Sequence, residues 1–142
     1  MKVLIISTGN SCRSPMAEYF LRSFDGSIEV ISAGTAPEII VSENAVMAMK
    51  EALIDLSNHV PKNINLYIRD TFNLVISIGE PAQNIASQYF SGKSIILHLD
   101  IEDPGKIFGS TQLIMDKYRI VRDEIKNEIF KIYIHNIKPL IK

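Results

Sequence analysis

Val3-Leu4-Ile5-Ile6-Ser7-Thr8-Gly9-Asn10-Ser11-Cys12-Arg13-Ser14-Pro15-Met16-Ala17-Glu18 is the stretch that decides the fold. The apolar run before Ser7 is short and β-branched, so it reads as a buried strand. Small polar residues then form a loop, and a helix-like run follows from Met16. Ser14 can cap that helix, with Pro15 at its first position and Glu18 in its first turn. A loop of this kind aims successive backbone N–H groups at one point, and the helix N-terminus adds partial positive charge. Together they favour a bound oxyanion. Arg13 adds a planar fork that matches phosphate geometry. At the mouth of the loop, where a nucleophile would sit, the residue is Ser7.

Outward from this stretch, apolar strands alternate with helices. Ala17, Phe20, Leu21 and Phe24 follow helical spacing, and Asp25-Gly26 ends the first helix. Ile28–Ile31 reads as a second strand, closed by Ser32-Ala33-Gly34. Ser42 opens a second helix, with Val46, Met49, Ala52 and Leu53 on one side. Asn63–Arg69 is expected to form a short helix. Phe72–Ile78 reads as strand three, Pro81–Phe90 as a helix and Ser94–Leu97 as strand four. Ile101–Phe108 is a loop holding Asp103-Pro104-Gly105. A final helix is expected from Gly109 or Ser110 to near Ile137, with Leu113, Tyr118, Val121, Ile125, Ile129 and Ile132 facing inward and Pro139 as its stop. This alternation predicts one α/β domain over residues 1–142, a four-stranded parallel sheet covered by helices on both faces in three layers. Ligands of such sheets bind beyond the carboxyl ends of the strands, where the Ser7 loop lies.

Composition narrows the function classes. Fifteen basic and sixteen acidic residues among 142 leave the chain near neutrality. Without a basic run, neither a nucleic acid nor an anionic membrane is an expected partner. No apolar stretch approaches the ~18 residues of a membrane span. The single cysteine, Cys12, allows no internal disulfide and fits a cytoplasmic location. His59, His98 and His135 are scattered, so no metal site is expected, and no cofactor motif is present. The five methionines read as core filler.

The Ser7–Glu18 segment resembles the phosphate-binding signature of the low-molecular-weight protein tyrosine phosphatases, whose superfamily includes the thioredoxin-coupled arsenate reductases. Ser32-Ala33-Gly34-Thr35 and Asp103-Pro104 resemble, respectively, the loop after strand two and the loop carrying the general acid. Asp55–Lys62 and Gly109-Ser110 resemble the arsenate-reductase branch. The resemblance covers nearly the whole chain and implies strand order 2-1-3-4. It implies that Thr8, Gly9, Asn10, Ser11, Cys12, Arg13 and Ser14 hold the phosphate, with Ser32 and His59 in support. It also implies phosphomonoester hydrolysis of a phosphorylated protein or small aryl phosphate. The alternatives are arsenate reduction, or phosphate binding without turnover. Asn10, Glu18 and Ser32 resemble positions that bind a monovalent cation in some arsenate reductases.

Two departures from the family pattern bear on reactivity. Ser7 stands where the family has its nucleophilic cysteine. The stretch Gly79–Ser87 lacks the reductases' two relay cysteines. A thiolate would be activated by such a loop, whereas a serine hydroxyl needs an adjacent base, and the loop contains none. Ser7 is therefore expected to bind and hardly to react. The intact surroundings favour an engineered exchange over decay of the site. Arg13 is expected to clamp two phosphoryl oxygens, against the alternative of a surface arginine capping a loop. Asp103 is expected to protonate the leaving group, against an ordinary Asp-Pro turn, with Asp100 and Glu102 as substitutes. Asn10 is expected in a left-handed turn, and Ser14 on the nucleophile, on the helix end, or on both. Cys12 reads as a small buried residue. Gly105 stands where phosphotyrosine-specific members carry an aromatic residue, leaving Phe108 or Tyr67 as wall, against the alternative that either is ordinary packing. The tail Ile129–Ile137 is apolar on more than one face. It either packs on a neighbouring helix or forms a homodimer contact.

Overall fold

The structure is a computed structural model that describes residues 1–141. Strands β1 (Lys2–Ser7), β2 (Glu29–Gly34), β3 (Leu74–Ile78) and β4 (Ile95–Leu99) form a parallel sheet in the order 2-1-3-4. The central strands β1 and β3 are almost wholly buried, which is why they read as unbroken apolar runs. Val3 and Ile5 face one layer, built by helices α1 (Arg13–Phe24), α2 (Glu43–Glu51) and α4 (Thr111–Ile132). Leu4 and Ile6 face the other, built by α3 (Glu80–Phe90) and the segment around Ile64 and Phe72.

Several local expectations need correction. Helix α1 begins at Arg13, with Cys12 at its cap and no side-chain capping bond. Ser14 does not cap it, because its hydroxyl is used by Ser7. Pro15 still falls in the first turn, where a missing N–H costs nothing. Strand β2 runs on to Gly34, since Ser32 to Gly34 pair with Ile5 to Ser7. Asn63–Arg69 is not a helix but holds one 3-10 turn, Ile64–Leu66.

Leu53 follows the end of α2 at φ 62° and is 95% exposed, so it leaves the helical stripe. Leu113 folds back against Gly109 and is exposed, and Met115 takes the inward place. Tyr118, Val121, Ile125, Ile129 and Ile132 face inward as expected. Ser42 and Ser110 cap α2 and α4, accepting bonds from Ala45 N and Leu113 N.

The α-helical part of the last element ends at Ile132, ahead of a π turn, Tyr133–Ile137, and a 3-10 turn, Lys138–Leu140. Pro139 has no N–H to continue the helical ladder. In the tail, Phe130 and Tyr133 pack on Phe24 of α1, at ring separations of 5.2 and 6.2 Å. The Tyr133 hydroxyl donates to Asp25. Among the described residues no helix is long and apolar enough to cross a membrane.

Candidate active site

The loop between β1 and α1 closes on a cavity of about 180 Å³, lined by Ser7 through Arg13 and, from the far side, by Asp103. Two close approaches shape it. Asn10 adopts φ 49°, a left-handed turn that asparagine tolerates. Gly34, paired with Ser7 in the sheet, lies beneath the loop. A Cβ there would stand 2.6 Å from the Thr8 carbonyl oxygen, so only glycine lets the loop descend. With no side-chain cap on α1, the N–H groups of Arg13 and Ser14 at its start take no capping bond.

Asn10 holds the loop from within. Its Nδ2 donates to Ser14 Oγ and to Ser32 Oγ, both at 2.9 Å. Its Oδ1 accepts from Lys62 N at 2.9 Å. Ser32 Oγ donates to Glu18 Oε1 at 2.6 Å, and Glu18 is paired with Arg22 at 2.7 Å. The Arg22 guanidinium supplies a positive partner for the buried Glu18 carboxylate, beside the Asn10, Glu18 and Ser32 set. Ser14 Oγ accepts from Asn10 and shares a second hydrogen bond with Ser7 Oγ, 2.6 Å away. Ser7 also lines the cavity.

His59 closes the back of this network. It is buried, and its Nε2 lies 3.0 Å from Asn10 O and 3.2 Å from Asn10 Oδ1. Two acceptors require that nitrogen to carry the proton. Burial and the nearby Lys62 ammonium lower its pKa to about 4. Between pH 6.5 and 4 the unfolded chain therefore takes up a proton that the folded chain refuses, and stability should fall as pH falls. The expected loss is on the order of 1–2 kcal/mol once solvent screening is allowed for. Thermal melts across that window should show a shallower decline for His59→Gln than for the unaltered chain.

Arg13 is buried below the cavity. One of its nitrogens donates to Ile101 O at 2.9 Å, and another lies 3.9 Å from Asp103 Oδ2. It packs against Gly79, where a Cβ would sit 3.0 Å from the guanidinium. Arg13 is thus no surface arginine. Asp103 caps the 3-10 turn Pro104–Lys106 by accepting from Gly105 N, and its carboxyl also faces the cavity. Asp103 thus forms the ordinary Asp-Pro turn and also lines the cavity. Asp100 does not line the cavity, and Glu102 is engaged with Lys117 at 2.6 Å.

Cys12 is buried, and desolvation together with Asp103 pushes its thiol pKa up, so it stays protonated at neutral pH. Neither Tyr67 nor Phe108 walls the cavity. Tyr67 packs in the layer around Ile64, and Phe108 is 94% exposed away from it. Glu38 and Lys106, which the sequence did not single out, occupy the rim instead. No sequence signal marks Glu38. The i,i+4 spacing of Glu18 and Arg22 was a readable signal for their pair.

Comparison with known proteins settles the lineage. Residues 2–139 match the family described as low molecular weight phosphotyrosine protein phosphatase. The chain belongs to that family. Within it, an arsenate reductase of Halalkalibacterium halodurans is 34% identical over 128 residues, covering 89% of this chain and 91% of that protein. The low molecular weight protein-tyrosine-phosphatase Ptp of Acinetobacter johnsonii is 33% identical over 88 residues, covering 61% and 62%. A solved family fold, a mutant of the YwlE arginine phosphatase with a phosphorylated active-site serine, superposes with TM-score 0.76. It is 26% identical, covering 97% of this chain and 99% of its own. The family thus spans phosphatases and arsenate reductases, on the sheet order found here.

Proposed function

We propose that this chain is a nucleophile-replaced phosphomonoesterase, which binds phosphomonoesters in the Ser7–Ser14 loop and releases them largely unhydrolysed. The observation that carries this reading is the state of Ser7. It sits at the focus of an intact cradle, yet among the described residues its side chain bonds only to Ser14. In-line phosphoryl transfer needs an activated nucleophile, charge stabilisation and a proton for the leaving group. Arg13, the loop N–H groups and Asp103 supply the second and third requirements. The first is missing, because no base draws the proton from Ser7.

Where a phosphoryl donor has a good leaving group, one transfer to Ser7 is the most chemistry expected. An alkoxide then leaves too poorly for hydrolysis to follow. The phosphorylated active-site serine of the YwlE mutant supports that endpoint. The cradle suits arsenate as well as phosphate, but reducing arsenate takes two electrons. The chain's one thiol is buried and held protonated.

Titration with phosphate and arsenate, followed by amide NMR, should move the Ser7–Ser14 resonances saturably. Incubation with an aryl phosphate should release no more than one equivalent of phenol per chain. Sustained turnover would overturn the reading, and so would absence of anion binding.

A further inference from the structure

The oxyanion cavity opens into a groove of about 540 Å³. Ser11, Cys12, Glu38, Asp103 and Lys106 line both spaces, so the rest of a molecule whose phosphoryl group sits on the loop can lie along this groove. The groove has an aliphatic wall at Ile39–Val41, faced by Tyr118, and carries Glu38 and Glu43. Ile39 and Ile40 are 93% and 67% exposed, a juxtaposition of large apolar side chains that marks contact surfaces. Among the described residues, Glu38 and Glu43 form no ion pair, and neither does Lys106, the one cation lining the groove.

We propose that this groove selects phosphorylated peptides with a basic residue beside the phosphorylated one. The proposal rests on reading the loop as a phosphoester site. Free phosphate or arsenate fills the inner cavity and uses none of the outer wall. A peptide with acidic flanks would face two unpaired carboxylates against the single Lys106 ammonium, a net repulsion that disfavours it. A basic flank meets opposite charge there, and an apolar neighbour would cover Ile39 and Ile40. The backbone that carries these two carboxylates is fixed beside the site. Glu38 N donates to Gly9 O at 2.9 Å, and its side chain lies over Gly9. Glu43 opens α2 directly after the Ser42 cap.

The test uses the chain as it stands and two fluorescent phosphopeptides that differ only in arginine or glutamate flanks. The arginine-flanked peptide should bind roughly three- to tenfold tighter at low salt. The preference should shrink toward about 0.5 M salt and vanish in the Glu38→Gln/Glu43→Gln double variant. Equal affinity for the two phosphopeptides, with inorganic phosphate still competing, would overturn the groove proposal alone. So would equally tight binding of the unphosphorylated arginine-flanked peptide, because the cation alone would then be held. Failure of inorganic phosphate to bind or compete would remove the reading of the loop, and this proposal with it.

Discussion

Ser7→Cys is expected to raise steady-state hydrolysis of an aryl phosphate by about 10³-fold or more. The surrounding geometry is already that of a thiolate site. Ser14 Oγ lies 2.6 Å from the side chain at position 7, where it would donate to a thiolate, and Arg13 and the start of α1 add positive potential. In such surroundings a cysteine pKa falls to roughly 3.5–7.5, so a thiolate would prevail at neutral pH. Asp103 is then placed to protonate the leaving oxygen and afterwards to activate water. A colorimetric assay measures the gain. If Ser7→Cys binds phosphate but hydrolyses nothing, the phosphatase reading of the site fails and a pure binding role remains.

The second large effect is expected at Arg13. Arg13→Ala should weaken phosphate binding about 10–100-fold, the range for charge-assisted hydrogen bonds of about 1.5–3 kcal/mol. Arg13→Lys should recover only part of this. The guanidinium holds Ile101 O with one nitrogen while the remaining donors stay available above it. A lysine ammonium is a point charge and cannot present that fork. Calorimetric titration of both variants separates the outcomes. Equal phosphate affinity in Arg13→Ala and the unaltered chain would place the anion elsewhere.

The site was legible where its parts are contiguous in sequence or carry a backbone signature. Strand, loop and helix follow one another between Lys2 and Phe24, so local spacing revealed the cradle. Asn10 was readable because few residues accept its backbone angle, and Asp103 because proline follows it. Glu38 escaped, because its direction comes from a loop-to-loop hydrogen bond with Gly9 and not from any period. Leu113 and Leu53 misled for a related reason. Both sit at helix ends, where capping geometry overrides the stripe that predicts burial mid-helix. Ser14 looked like a helix cap because its residue type and position suit one. Only the three-dimensional pairing of β1 with α1 shows that the nucleophile position claims it first.

The bond from Arg13 to Ile101 joins positions 88 residues apart. The cradle motif lies near the amino terminus, but its floor is delivered by chain that follows β4. A nascent or truncated polypeptide ending before β4 would therefore carry every residue of the motif and lack the Ile101 carbonyl that anchors Arg13. Anion binding and completion of the sheet become one thermodynamic event. Ligand at a hundred times its dissociation constant would add about 2.7 kcal/mol to the folded state. In that sense the loop is also a sensor of whether the far end of the chain has arrived.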